Sequence, residues 1–457
     1  MAKTVRIGSG MGFYGDSWLP ALQTARRGGV RYLSFDHLSE LTLAILQKDR
    51  ARNPSAGYTR DITGMMKDLL PVAREQGIRL ITNAGGINPA GARAEVVRVA
   101  KSLGLGGLKV AVVTGDGIID RLAALQARGV TLRHQDTGRE LETVRDRLLF
   151  ANVYLGARPI VRALEQGADV VVTGRTTDAA LFLAPLIHEF GWRPDDWDRL
   201  AAGVVIGHLM ECSGQASGGN FSGKWWEVPD LWKIGYPIAE VSEDGDAVFG
   251  KAPETGGLIS VDTVKEQLLY EIHDPTTYLT PDVVADFSEV ELRDLAPNQV
   301  RVSGARGRPA PPTLKAVMGY ADGFMGHGLI GYAWPDALAK ARRAEEIIRR
   351  QVQGLGIAAE EVVAEFVGLN SIHGPLATPP KDFEHNEVYL HMAIRTRGRE
   401  DAERFGRLFA PLGLNGPPFI GWLAGLSPTR ELIGLWPAAV PREEIEPYVS
   451  VDTVAVE

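Results

Sequence analysis

Val5-Arg6-Ile7-Gly8-Ser9-Gly10-Met11-Gly12-Phe13-Tyr14-Gly15-Asp16-Ser17 joins a short apolar run to a glycine-rich turn. Val5–Gly8 reads as a strand and Trp18–Gly28 as the helix behind it. The alternation continues outward. Strands are predicted at Val30–Phe35, Ile78–Thr82, Leu108–Val113 and Val170–Thr173. Helices are predicted at Leu38–Arg50, Ile62–Glu75, Ala90–Leu103, Val144–Gln166 and Ala179–Phe190. Nearly all-apolar strands separated by helices predict a parallel sheet covered on both faces, hence an α/β fold over residues 1–220. An open, doubly wound sheet is favoured over a closed barrel.

Residues 221–457 have a different rhythm and predict an α+β domain packed against the first. Short strands are expected at Ala247–Gly250, Val290–Leu292, Gln299–Gly304 and Leu314–Tyr320. Helices are expected at Val261–Tyr270, Asp336–Gln353 and Arg399–Leu408, with antiparallel strands at Val362–Leu369 and Glu387–Arg395. Arg306–Pro312 and Pro375–Lys381 read as Pro-rich loops. Trp225, Trp226 and Trp232 are expected in ordinary core packing rather than at an interface or an acyl-chain wall.

The 457 residues suggest two or three domains at about 150 residues each. A net charge of -8 argues against a bulk electrostatic grip on nucleic acid. Cys212 is the single cysteine, which rules out an intrachain disulfide and disfavours a cysteine-built zinc site or cluster. No apolar run is long enough for a membrane span, and the N-terminus has no leader pattern. The expectation is a soluble cytoplasmic homo-oligomer, a homodimer on base rates, with a small-molecule substrate.

In an open parallel sheet, ligands bind beyond the C-terminal ends of the strands. After the first strand, Gly10, Gly12 and Gly15 with Asp16 form a candidate cradle for a phosphate, nucleotide or carboxylate. Asp36 ends the second strand, where a ribose-binding acid sits in a dinucleotide fold. After the third strand, Asn83, Gly85, Gly86 and Asn88 form a second candidate cradle. Arg175 follows a later strand as a candidate clamp for an anion, with Asp178 available to pair with it. On a helix, His208, Glu211 and Cys212 share a face. His208 is the candidate general base, with Glu211 orienting it. Lys251, Gly256 and Gly257 form a further substrate-binding candidate. Glu266, Tyr270 and His273 fall on one helical stripe, with Glu266 and His273 as alternative proton-transfer residues.

These motifs together resemble the acyclic terpene utilisation (AtuA) family. The resemblance is carried by Ile7-Gly-Ser-Gly10 with Gly15-Asp16, Asn83-Ala-Gly-Gly-Ile-Asn-Pro89, Val172-Thr-Gly-Arg175 and Gly207-His-Leu-Met-Glu-Cys212. Gly218-Gly219, Thr263-Val-Lys-Glu-Gln-Leu-Leu-Tyr270, His273-Asp-Pro275 and Tyr278-Leu-Thr-Pro-Asp-Val283 complete it. It implies a role in the breakdown of branched or terpenoid acids as coenzyme A thioesters. Coenzyme A would then enter as part of the substrate, and a small partner subunit is implied for some members.

The expected function is an enzyme on a small carboxylate or acyl-CoA thioester, of hydratase or lyase type. An NAD(P)-dependent oxidoreductase resting on Gly10–Gly15 and Asp36 is the first alternative. A non-catalytic subunit of a partner enzyme is the second. A metal-assisted lyase would draw on Asp16, Asp36, Glu40 or Asp116, and zinc on His208, Glu211 and Cys212. No ligand spacing selects a metal, so none is expected.

Overall fold

The computed structural model describes residues 3–378, 383–421 and 428–457. Its centre is a ten-stranded mixed sheet. Five parallel strands lie side by side in the order Thr4–Met11, Tyr32–Phe35, Arg79–Thr82, Val170–Thr173 and Lys109–Thr114. Each overlaps a strand predicted from its apolar run. The first four end almost wholly buried, as parallel strands covered by helices must be.

The sheet does not stop at the predicted boundary near residue 220. Pro237–Ser242 pairs antiparallel with Thr4–Met11, and Ala247–Lys251, Gln299–Ser303 and Glu291–Ala296 follow beyond it. On the opposite edge Ser450–Ala455 pairs antiparallel with Lys109–Thr114. Edge strands drawn from distant sequence cover backbone groups that a five-stranded sheet would leave open. By density of contacts the chain divides elsewhere. One unit runs from the N-terminus to Thr143 and takes in Leu149–Met318 and Leu435–Glu457. The other comprises Val144–Leu148 and Gly319–Gly434.

The second unit combines antiparallel strands with helices. Glu361–Val367 and Glu387–Thr396 pair antiparallel, and Phe324–Ala333 pairs along the other side of Glu387–Thr396. The helix Ala337–Gly354 buries Ala341, Ala344 and Ile348 in a core shared with Leu390, Met392 and Phe405. Part of the predicted Pro375–Lys381 loop, residues 379–381, lies outside the described residues.

Three local expectations are corrected. Val144–Gln166 is not one helix: it holds the strand Leu148–Val153 and the helix Arg158–Glu165. The apolar run Leu148–Val153 fits either period, and Gly156 and Pro159 break the continuity. The helix at Val261 ends at Leu269, with Tyr270 extended, so the stripe of Glu266, Tyr270 and His273 is not a helical face. Trp225, Trp226 and Trp232 are 58%, 65% and 83% exposed, so they are surface residues and not core.

Candidate functional site

The C-terminal ends of the parallel strands carry a dense set of buried polar groups. Ionisable side chains do not sit in a core without partners, so each hydrogen bond there is informative.

Asp36 follows the second strand and is 5% exposed. Its Oδ1 accepts from Asn83 Nδ2 at 2.5 Å and from the Leu38 N–H at 3.2 Å. Burial raises its pKa well above the usual carboxylate range, and the charge of Asp178 adds to the rise. Asn83 is fully buried and committed to this work, since its Oδ1 accepts from the His37 N–H at 2.7 Å.

Arg175 is 2% exposed and held on three sides. Its guanidinium donates to Leu38 O at 2.6 Å and to Asp178 Oδ1 at 2.7 Å, and it stacks 4.1 Å over the Tyr154 ring. Its Nε has no acceptor. Lys315 approaches the same ring at 4.7 Å and donates to Glu40 at 2.9 Å. Tyr154 also donates to Glu40. Burial pushes the Glu40 carboxyl up, yet the bonds from Tyr154 and Lys315 outweigh it and bring the pKa to about 2.

The helix Trp197–Glu211 delivers His208 and Glu211 one turn apart, both nearly sealed from solvent. His208 Nε2 lies 2.9 Å from Gln267 O. A carbonyl only accepts, so Nε2 carries a hydrogen. His208 Nδ1 lies 3.0 Å from Glu211 Oε1, and one proton bridges that pair. Burial raises the Glu211 pKa to about 7, with its bond to His208 working the other way. Burial pulls His208 down, and the bond to Glu211 carries it above its ordinary value. Tyr278 and Phe287 rings at 6.0 Å and 5.6 Å wall the imidazole in. Glu211 Oε2 has no hydrogen-bond partner. Both ring nitrogens of His208 are occupied, and Glu211 is the group with free capacity. The charges of Glu211 and Asp178 both act on Asp36, which places the three in one electrostatic cluster.

The glycine-rich loops are built for packing. A Cβ on Gly10 would lie 2.3 Å from the Phe35 ring, and one on Gly12 would lie 2.9 Å from the Cys212 backbone. The Gly12 N–H donates to Asp16 Oδ2 at 3.0 Å and the Gly15 N–H to Asp61 Oδ2 at 3.3 Å. Asp16 also takes Ser17 N–H and the Tyr236 hydroxyl. A carboxylate of the chain itself thus stands where an incoming anion would bind. At the second loop, Gly85 N–H bonds Thr173 O, Gly86 N–H bonds Asn83 O, and Asn88 caps the helix Pro89–Ser102 through the Gly91 N–H. Lys251 donates to Thr255 O, while the Gly256 and Gly257 N–H groups bond Lys233 O and Pro229 O. Glu266 accepts from the Ser222 N–H and hydroxyl, and His273 is exposed. The structure therefore brings Asn83, Arg175, His208 and Glu211 together with Asp36 and Asp178, and engages the other candidates in turns.

Tyr154, Lys315 and Tyr278 were missed. Tyr154 lay inside a wrongly predicted helix, and Lys315 in a strand remote in sequence. Tyr278 sat in a motif quoted only for resemblance. Burial pushes the Cys212 thiol far up, and the charge of Glu211 adds to this. Among the described residues, no three His, Cys, Asp or Glu side chains come together in a way that could hold a metal ion, and no helix is long and apolar enough to cross a membrane.

A family model described as acyclic terpene utilisation family protein AtuA matches residues 5–451. No curated protein and no solved structure matches the chain.

Proposed function

The chain belongs to the acyclic terpene utilisation family, and from that premise and the geometry of its buried polar cluster we propose that it is an enzyme working at the carbon beside a carbonyl. The substrate class is a small carboxylate or acyl-CoA thioester, and the reaction is of hydratase or lyase type. One observation carries this reading: Glu211, bonded to His208 through one oxygen and with a pKa raised to about 7, lies in the same cluster as Asp36, whose carboxyl burial pushes well above the usual carboxylate range. A base near neutrality beside a fixed donor suits removal of a proton α to a carbonyl.

In this mechanism Asp36 donates from Oδ2 to the carbonyl oxygen and stabilises the negative charge that develops there. Arg175 holds a positive charge beside it. Glu211 Oε2 takes the α proton and returns it to the departing β-hydroxyl. The C–H and C–O bonds break, a C=C bond forms, water leaves and Glu211 is restored. Addition of water is the reverse. His208 is a positioning residue that fixes Glu211 through Oε1. A doubly wound arrangement of the parallel strands, a homo-oligomeric state and a cytoplasmic location belong to the same proposal.

The test is purified protein with a panel of α,β-unsaturated and β-hydroxy acyl thioesters and their free acids. Gain or loss of the conjugated double bond is followed by absorbance. Conversion of one member of the panel is expected. No conversion by a folded protein of any member contradicts the reading.

A further inference from the structure

A cavity lies against the helix Arg158–Glu165. Its volume is about 680 Å³, within the usual range of small-ligand pockets. The floor is apolar, with Leu155, Val161, Trp192, Leu200 and Leu314 all buried. The lining also carries four arginines, Arg158, Arg162, Arg193 and Arg442, and three acidic residues, Glu165, Asp282 and Glu446. Three of these arginines are engaged: Arg193 with Asp195 and Asp196, Arg442 with Glu446, Arg162 with Val449 O. Among the described residues Arg158 has neither an ion pair nor a hydrogen bond, and its charge acts on the buried Asp282 carboxyl.

The helix start beneath Arg158 is already capped. Asp282 takes the Ala157 N–H with both carboxyl oxygens at 3.0 Å. The anion-binding capacity of this groove therefore resides in side chains at the rim, above a floor that gains only from apolar contact.

We propose that this groove binds an amphipathic organic anion, an aliphatic chain lying on the Leu155, Val161, Leu200 and Leu314 floor with its carboxylate head on Arg158. This proposal does not depend on the reaction assigned to the Asp36–Glu211 cluster.

The test is calorimetric titration of the full chain with decanoate, decanol and acetate. Decanoate should bind saturably at one site, with decanol and acetate each about tenfold weaker or worse, as loss of a charge-assisted contact or of the chain predicts. Arg158→Ala should weaken decanoate about tenfold and leave decanol unchanged. Val161→Asp, whose charge repels the head and wets the floor, should abolish binding in a protein that keeps its circular dichroism. Asp36→Asn should leave decanoate binding intact. Absence of saturable decanoate binding overturns the proposal. So does decanoate binding that survives both groove substitutions, or that is lost in Asp36→Asn, which would place the ligand at the carboxyl cluster.

Discussion

His208 Nδ1 and Glu211 Oε1 meet at 3.0 Å, while the other ring nitrogen is fixed on Gln267 O. Together the two contacts decide which residue has a free hydrogen-bonding site among the described residues. They leave the imidazole fully engaged and one carboxyl oxygen unmatched.

The pair makes stability depend on pH. Glu211 has a raised folded pKa of about 7 against an ordinary 4.5, so the folded state holds its proton longer than the unfolded state. The His208 shift is upward too, and works in the same sense. Stability contributed by the retained proton is full below about pH 4.5 and is lost as pH rises through about 7. Denaturant unfolding of the wild type and Glu211→Gln at several pH values should show a difference on the order of 2 kcal/mol developing across that window. Parallel pH curves would refute the shared-proton assignment.

Glu40 behaves oppositely. Its folded pKa of about 2 lies below the ordinary 4.5, so its contribution is present above about pH 4.5 and lost as the medium is acidified toward 2. Lys315→Met removes one of its partners. With Glu40 30% and Lys315 46% exposed, water screens the pair. A cost of only about 1 kcal/mol at pH 7 is expected, shrinking in acid. Chemical denaturation at pH 7 and pH 3 measures both.

Gly10 is where packing and ligand-cradle readings part. Gly10→Ala sets a methyl carbon 2.3 Å from the Phe35 ring. The protein should lose about 1–3 kcal/mol of stability, as overpacked cores do. A variant of unchanged melting temperature that is defective in ligand binding would restore the cradle reading.

Cys212 should be inert. Its thiol is held protonated at neutral pH by burial. Reaction with a disulfide reagent at pH 8 should be at least about tenfold slower in the folded protein than in urea. Comparable rates would show an exposed thiolate.

The parallel strands were legible because each is a compact apolar run ending at a Gly-containing polar turn, as in Val170–Thr173 before Gly174-Arg175. The added antiparallel strands were not legible as part of that sheet. Nothing local in Pro237–Ser242 says that its partner is Thr4–Met11. The site was half legible. The three-residue spacing of His208 and Glu211 put them side by side, but which of them keeps a free atom depends on Gln267, far along the chain. The glycines carry two readings for a physical reason: Gly10 meets an aromatic ring and Gly12 a neighbouring backbone, and both demands look the same in sequence as a phosphate loop.

The central claim is that Glu211 moves a proton at the α carbon while Asp36 holds the carbonyl. The most direct measurement is exchange of the α hydrogen of an acyl thioester substrate for deuterium in heavy water, followed by proton NMR, with wild type, Glu211→Gln and Asp36→Asn. The wild type should exchange it, and each variant, folded by circular dichroism, should be slower by about a hundredfold or more. Exchange at the wild-type rate in Glu211→Gln would contradict the account.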